Sequence, residues 1–266
     1  MKAEVTGKIL PKKKQSRIIN SEMTLIEKAD LVICVSQNER DIIEEHTHKR
    51  DIEVWEHVQE VHKSPVTFNG RRGILFFGSF FAGPGSPNED AIMYFTKEIF
   101  PDVHKALSCK LYVVGTDPTV AVRSLATPDI EVTGYVENPE TYTDKCRVNV
   151  VPTRFAAGIP LKLIEAMSYG IPSVVTRLIA GHLDLSDRNQ VLIADSTHNF
   201  VEKVVELYSN EELWYSIQRN ALDYISRNFS NAKMRDKLNI IIQKGLAIRA
   251  RKQDNLHFRF VSENRV

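Results

Sequence analysis

The 266-residue sequence is poor in the features that mark secreted, membrane-spanning and metal-dependent proteins. It has three cysteines, an odd number without a C-x-x-C spacing, which favours reduced and buried thiols over a disulfide framework. No apolar run approaches the roughly 20 residues that cross a bilayer. The N-terminal lysines are not followed by the apolar core of a secretory signal. The histidines lack metal-ligand spacing, so we expect no metal site and no bound cofactor.

Charge is also nearly balanced, with a formal net charge of +1, and 42% of the residues are hydrophobic. This composition predicts a globular protein without a bias towards nucleic acid or other polyanions. We expect it to be cytoplasmic, and peripheral attachment to the inner surface of the membrane is left open. Residues 1–16 contain three consecutive lysines and are interpreted as a solvated polar arm.

The most informative stretch runs from Val148 to Thr176. Two apolar, β-branched segments, Val148–Val151 and Ser173–Thr176, are typical of strands buried on both faces of a parallel sheet. A loop with Gly158 and a short helix lie between them, with Pro160 in the first helical turn. Gly170 and Pro172 end that helix. The pattern predicts a βαβ unit and an α/β fold with a Rossmann-like, doubly wound parallel sheet.

This helix begins just beyond the carboxyl end of a parallel strand, where α/β proteins bind ligands. Its first amides and positive dipole end would face an anion there. Lys162 lies in the first turn and Glu165 lies three residues on, one turn further along the same face. This arrangement fits a diphosphate joined to a ribose. A Lys–Glu pair on a solvated helix face is an equally good interpretation of the spacing.

The segment PTRFAAGIPLKLIEAMSYGIPSVVT resembles the donor-binding segment of retaining GT-B glycosyltransferases, in the bacterial branch related to glycogen synthase and sucrose synthase. The resemblance continues through ILFFGSF, PNEDAIMYF, LYVVGTDP and IEVTGYV and covers roughly residues 71–245. It implies three regions. Residues 1–70 would be the end of an N-terminal, acceptor-side lobe with a linker, 71–245 the nucleotide-sugar donor lobe, and 246–266 a tail.

The resemblance also implies site roles. Lys162 and the backbone of Gly158, Ile159, Pro160 and Leu161 would hold the diphosphate, and Glu165 the ribose hydroxyls. Tyr135 and Val136 would meet the base, and the Gly78–Ser79 turn would approach the donor. Arg154 would reach the diphosphate or pair with a surface carboxylate. For Tyr135, the alternative is a half-buried loop aromatic.

Two departures from the family pattern are visible. The first loop, Phe80 to Asn88, lacks the arginine and lysine that most relatives use for the diphosphate. Ala157 stands where many relatives have a glutamate that contacts the donor sugar. The first departure places the anion-binding role on Lys162, backbone amides and Arg154. The second leaves the contact with the donor sugar to the backbone around Ala157 and Gly158.

The remaining elements follow from periodicity, caps and turns. Ser36 is expected to cap a helix with Glu39 completing a capping box, Asn88 to cap another, and Asp195 to be a turn or a cap. Predicted strands are 31–35, 52–55, 73–77, 110–114, 130–133 and 191–194. Predicted helices are 17–29, 38–45, 89–99, 139–145, 199–208, 211–228 and 234–250.

The resemblance therefore predicts a glycosyltransferase, or its donor-binding half, that moves a sugar from a nucleoside-diphosphate donor. The expected nucleotide is UDP or GDP, and the expected reaction retains the configuration at the anomeric carbon. The absence of a D-x-D motif favours a site that works without metal. The acceptor stays open among a glycan, a lipid-linked sugar and a small molecule. The alternative is a non-catalytic nucleotide-sugar-binding or regulatory module that needs a partner chain or the missing N-terminal lobe. A homo-oligomer also stays open.

Overall fold

The computed structural model describes residues 12–55, 57–62, 66–156 and 158–263, with side chains described within 16–252. Ala157 and most of the predicted polar arm therefore lie outside the described residues. The chain divides into two compact units. One is Gln59–Asn228, and the other combines the described residues of Leu10–Val58 and of Phe229–Val266.

A six-stranded, fully parallel sheet forms the centre of the Gln59–Asn228 unit, with strand order β5-β4-β3-β6-β7-β8. The order runs outwards in both directions from the β3/β6 pair, which makes this junction the switch point of a doubly wound sheet. The predicted fold class is confirmed. The strands are β3 Gly73–Phe77, β4 Leu111–Val114, β5 Ile130–Gly134, β6 Cys146–Val151, β7 Ser173–Thr176 and β8 Leu192–Ala194.

Helices connect these strands and cover the sheet. The connection after β3 is one long helical segment, in which α3 and α4 flank a π-helical turn, Phe95–Ile99. The helices of this unit are α3 Pro87–Tyr94, α4 Phe100–Leu107, α5 Val120–Arg123, α6 Glu140–Thr143, α7 Leu161–Ser168, α8 Arg177–Gly181, α9 Thr197–Ser209 and α10 Glu211–Asn228, and a 3-10 turn spans Phe68–Gly70.

Apolar side chains fill both faces of the sheet. On one face, Phe76 and Val148 pack with Phe95, Phe200 and the fully buried Trp214 from the covering helices. On the other face, a smaller cluster contains strand residues together with Ala166 and Tyr169 of α7 and its flank. The polar residues inside the buried strands are paired, since Asn149 Nδ2 of β6 donates to Ser173 Oγ of β7 at 3.0 Å.

The helix α7 ends as predicted at Gly170. Its φ of +66° is left-handed, which glycine adopts without a Cβ clash. The Gly170 N–H donates to the Met167 carbonyl and the Ile171 N–H to the Ala166 carbonyl, the two bonds of a Schellman stop. The chain then enters β7, and this sharp ending sets the distance between the helix start and the sheet edge.

The second unit contains α1 Lys12–Lys28, β1 Val32–Cys34, α2 Gln37–His46, β2 Ile52–Val54 and the long helix α11 Asn231–Glu263. β1 and β2 pair in parallel around a small core. Ser36 caps α2 as predicted, since its Oγ accepts from the Glu39 N–H. Lys244 of α11 lies 2.7 Å from the carboxylate of Glu53 on β2.

Several local predictions were wrong. Asn88 does not cap α3, because Ser86 accepts from the Glu89 N–H and Pro87 begins the helix. Ser196, not Asp195, caps α9. Pro160 is the N-cap residue of α7 instead of lying in its first turn. The short helices α5 and α8 were not predicted.

Candidate functional site

A cleft of about 520 Å³ opens at the carboxyl ends of β3, β4, β5 and β6, across the switch point of the sheet. Loops after each of these strands form its walls, and the start of α7 forms one end. Its lining includes Phe77, Gly78, Ser79, Ala82, Ser86, Pro87, Asn88, Val114, Gly115, Thr116, Tyr135, Val136, Pro139, Thr153, Ala156, Gly158, Ile159, Pro160, Leu161, Lys162, Glu165 and Ile179.

Ten of the sequence-predicted site residues line this one cleft. They come from segments as far apart in the chain as Gly78 and Glu165, which only the parallel sheet brings to a common edge. The ten are Gly78, Ser79, Tyr135, Val136, Gly158, Ile159, Pro160, Leu161, Lys162 and Glu165. Tyr135 is 73% exposed, so it is an open loop aromatic at the rim of the cleft.

The N-terminus of α7 faces this cleft without a side-chain cap. Pro160 occupies the cap position and cannot donate, and no side-chain hydrogen bond closes the turn among the described residues. The Leu161 N–H turns back to the Ile159 carbonyl at 2.9 Å. The protein's own carboxylates therefore do not occupy this helix end, in the described part of the chain. A helix start of this kind favours an anion.

Lys162 projects from the first turn of α7 into a pocket of neutral acceptors. Its Nζ donates to Asn88 Oδ1 at 2.6 Å and to Thr153 Oγ1 at 2.8 Å. The ammonium also lies 5.4 Å from the centre of the Phe76 ring. Lys162 therefore does not form the solvated pair with Glu165 that its spacing in the sequence allowed.

Burial lowers the pKa of Lys162 from 10.5 to about 7. Desolvation is the only cause, because no carboxylate among the described residues compensates the ammonium. A partly buried lysine in a cleft with only neutral partners favours an anionic ligand, because the ligand supplies the missing countercharge. The shift also leaves Lys162 partly neutral near pH 7.

Asn88 connects Lys162 to the opposite wall of the cleft. Its Nδ2 donates to the Ser79 carbonyl at 2.7 Å, while its Oδ1 accepts from Lys162. Ser79 Oγ and Thr116 Oγ1 share a hydrogen bond of 2.9 Å. A chain of polar contacts thus runs from the helix start to the Gly78–Ser79 turn and on to the end of β4.

Glu165 lines the cleft one turn along α7 from Lys162. Burial, followed by the charges of Glu165 and Glu140, raises the pKa of the neighbouring Tyr169. The His62 ring stacks on the Tyr169 ring with centroids 4.1 Å apart. Glu165 is therefore an acidic group on the cleft wall, beside an aromatic pair that supports the end of α7.

Arg154 is not among the residues that line the cleft. Its Nε and Nη2 donate to the two carboxylate oxygens of Asp90 at 2.9 and 2.5 Å, and its guanidinium lies over Tyr94 at 4.7 Å. The sequence left open whether Arg154 reaches the diphosphate or pairs with a carboxylate, and in the structure it pairs with the carboxylate of Asp90. The pair ties the loop after β6 to α3.

Sequence reasoning missed the two partners of Lys162. Thr153 follows directly after β6, and a polar residue at the carboxyl end of a parallel strand is a signal that could have identified it. Asn88 was interpreted as a helix cap and its real partner lies 74 residues away, so no local pattern indicated it. From the helix α8 after β7, Ile179 lines the cleft.

No cluster of three or more His, Cys, Asp or Glu side chains suited to a metal ion occurs in the described ranges. Within the same ranges, every helix is too short or too polar to span a bilayer.

The sequence profile of the family "Glycosyl transferases group 1" matches residues 71–210, just over half of the 266-residue chain. The chain belongs to this family. The matched segment contains β3 to β8 and every residue of the cleft lining. Comparison with the sequences of curated proteins gives no match.

Solved structures with the same fold include three sugar-related proteins. A TarM variant of S. aureus, solved with fondaparinux, α-GlcNAc-glycerol and UDP, superposes on this group 1 glycosyltransferase chain with a TM-score of 0.69 at 18% identity, over 84% of this chain and 46% of TarM. The pneumococcal O-GlcNAc transferase GtfA, solved with UDP and GlcNAc, gives a TM-score of 0.67 at 17% identity. The match covers 84% of this chain and 47% of GtfA. HepE of Anabaena, solved with UDP and glucose, gives a TM-score of 0.66 at 13% identity. The match covers 84% of this chain and 66% of HepE.

These likenesses show an α/β fold whose six-stranded parallel sheet matches the Rossmann-like lobe of GT-B proteins. The chain spans about half the length of TarM and GtfA.

Proposed function

We propose that this chain binds a nucleoside-diphosphate sugar in the cleft at the start of α7 and acts as the donor-binding part of a glycosyltransferase. The single observation that carries the proposal is the partly buried, desolvated ammonium of Lys162. It lies beside an uncapped helix N-terminus and has only the neutral partners Asn88 and Thr153. A diphosphate satisfies both the ammonium and the helix amides.

The same arrangement accounts for leaving-group stabilisation. As the bond between the sugar and the diphosphate breaks, negative charge grows on the diphosphate oxygens. The Lys162 ammonium and the backbone N–H groups of Ile159 and Lys162 would interact more strongly with that charge than with the intact donor, and would so lower the barrier. These groups are already in place in a cleft that excludes part of the solvent.

The rest of the donor follows the walls of the cleft. Glu165 would accept hydrogen bonds from the ribose hydroxyls, and Tyr135 and Val136 would meet the base. The Gly78–Ser79 turn would face the diphosphate or sugar. UDP is our first choice of nucleotide, supported by its presence in the TarM, GtfA and HepE structures.

Three finer features belong to the proposal. Retention at the anomeric carbon rests on the resemblance of the 148–176 segment to retaining enzymes. Independence of metal rests on the lack of a D-x-D motif and on Lys162 with the start of α7, which would supply positive charge to the leaving group. A glycan acceptor is suggested by the neighbours' ligands, while the acceptor side would come from an N-terminal lobe.

A second candidate function is a donor-binding module without turnover of its own. The observation in its favour is the loop between β3 and α3, which carries no arginine or lysine. Its lining residues are Ser79, Ala82 and Ser86. Such a module would reach activity only with a partner lobe.

The deciding experiment is calorimetric titration of the chain with UDP-glucose, GDP-mannose and ADP-glucose. One of these donors should bind, and Lys162→Ala should weaken that binding by about tenfold to a hundredfold, the value of a charge-assisted hydrogen bond. Lys97→Ala is the matched control, since Lys97 is 82% exposed and lies outside the cleft lining.

Unchanged affinity in Lys162→Ala would contradict the site. Slow release of free sugar from the donor by wild type would support the enzyme, whereas binding without any turnover would favour the module.

A further inference from the structure

We propose that Asn88 is a positioning residue of the donor site, and that an uncharged amide at this position keeps the Lys162 charge available for the ligand. This inference rests on the proposed function, although its main test needs no ligand. Asn88 touches both walls of the cleft through one side chain. It holds the ammonium with its oxygen and the Gly78–Ser79 turn with its nitrogen.

The orientation of the Asn88 amide follows from the chemistry of its partners. A lysine ammonium can only donate, so the amide oxygen must face Lys162. The Ser79 carbonyl can only accept, so the amide nitrogen must face the turn. Both bonds are short, at 2.6 and 2.7 Å. A rotation of the amide by 180° would lose both at once, which makes Asn88 a rigid brace between α3 and the turn after β3.

The absence of charge at Asn88 matters because of what surrounds Lys162. The charged groups on neighbouring elements are Glu165 on α7, Glu89 and Asp90 on α3, and Arg154 on the loop after β6. Asp90 is held by Arg154, and Glu89 accepts from Thr119 and from the Gly85 N–H. None of them shifts the pKa of Lys162, which burial alone lowers to about 7.

An aspartate at position 88 would place a negative charge beside Lys162, and its side chain has almost the same shape as that of asparagine. Its carboxylate would pair with the ammonium inside the protein and would compete directly with the diphosphate of a ligand. The first turn of α3 tolerates aspartate well, because acidic side chains are favoured at a helix N-terminus. Asn88→Asp is therefore a variant that should fold and yet lose the anion site.

The test compares Asn88→Asp with Asn88→Ala. Both variants lose the bond to the Ser79 carbonyl, but only Asn88→Asp keeps an acceptor for Lys162 and makes it charged. Wild type, which has the same acceptor without the charge, is therefore the second reference for Asn88→Asp. The pKa of Lys162 is measured in the unliganded protein by NMR of lysines labelled with ¹³C and ¹⁵N, with the signal assigned by its absence in Lys162→Arg. We expect the pKa to rise by about one unit or more in Asn88→Asp and not to rise in Asn88→Ala.

UDP-glucose titration supplies the second measurement. At a pH below 7, we expect Asn88→Asp to bind at least about tenfold more weakly than wild type, and also more weakly than Asn88→Ala. An unchanged Lys162 pKa in Asn88→Asp, or wild-type affinity in both variants, would overturn the proposal. If wild type itself binds no nucleotide sugar, the proposed function fails, while the NMR comparison still decides the role of Asn88.

Discussion

Gly115 lies so close to Gly78 that a Cβ built on Gly115 would be 1.7 Å from the Gly78 carbonyl oxygen. The two glycines end neighbouring strands, β4 and β3, and the Gly78 N–H donates to the Val114 carbonyl at 3.0 Å. Both residues line the cleft. The floor of the site is therefore formed by backbone against backbone, with no room for a side chain.

Gly115→Ala should damage the site and the fold together. The methyl group would force the ends of β3 and β4 apart, and we expect the free energy of unfolding to fall by about 3 kcal/mol. Urea denaturation measures this loss. Gly181→Ala is the control, because a Cβ at Gly181 would meet nothing within 4 Å and alanine is the better helix former. Equal stability of the two variants would show that the close approach is not a constraint.

The affinity for UDP-glucose should depend on pH through Lys162. The pKa of the unliganded lysine is about 7, and the bound diphosphate favours the charged form, so binding takes up a proton above that pH. Affinity should be greatest below pH 7 and fall by up to about tenfold per pH unit above it, until the higher pKa of the complex is reached.

This dependence can be measured by titrations between acidic and alkaline pH in buffers of different ionisation enthalpy, which also report the proton directly. Lys162→Ala should show a flat profile. A profile of wild-type shape in that variant would assign the titration to another group.

Glu165→Gln should remove the preference for a ribose over a deoxyribose. A carboxylate accepting from the ribose hydroxyls contributes about 1.5 to 3 kcal/mol, or roughly tenfold to a hundredfold in affinity. The measurement compares UDP-glucose with its 2′- and 3′-deoxyuridine analogues, on wild type and on the variant. If the preference is the same in both proteins, Glu165 does not contact the ribose.

Arg154 and Asp90 should behave as one unit. If their pair only ties the loop after β6 to α3, then Arg154→Met, Asp90→Asn and the double variant should weaken donor binding by similar, small factors of about threefold. A direct diphosphate contact predicts instead that Arg154→Met loses far more affinity than Asp90→Asn. The double-mutant cycle by calorimetry separates the two roles.

The regular elements were predictable because their signals are local. The strand Ser173–Thr176 and the helix Glu211–Asn228 agree with prediction at both ends, since β-branched runs, caps and helical periodicity are each contained in the segment itself. The cleft residues around Lys162 were also predicted, because a helix after a parallel strand places its start at the sheet edge. The proposed division of the chain into 1–70, 71–245 and 246–266 stays a prediction.

The side-chain partners in the site could not be predicted, because they depend on contacts between residues far apart in the sequence. The partner of Arg154 is 64 residues away and that of Lys162 is 74 residues away, so one sequence gives no register between them. The wrong cap at Asn88 has the same origin. Ser86 and Asn88 are both good capping residues, and the contact with Lys162 explains why Asn88 is used elsewhere.

The position of the cleft over the β3/β6 junction has a mechanical consequence. Among the described strands, β5-β4-β3 pair with β6-β7-β8 through β3 and β6. A nucleotide held by the Gly78 turn and by α7 would therefore touch both halves of the sheet. A bound ligand would then stabilise the pairing of β3 with β6. Amide hydrogens on both sides of it should exchange more slowly with solvent when the donor is bound, including those of strands the donor never contacts.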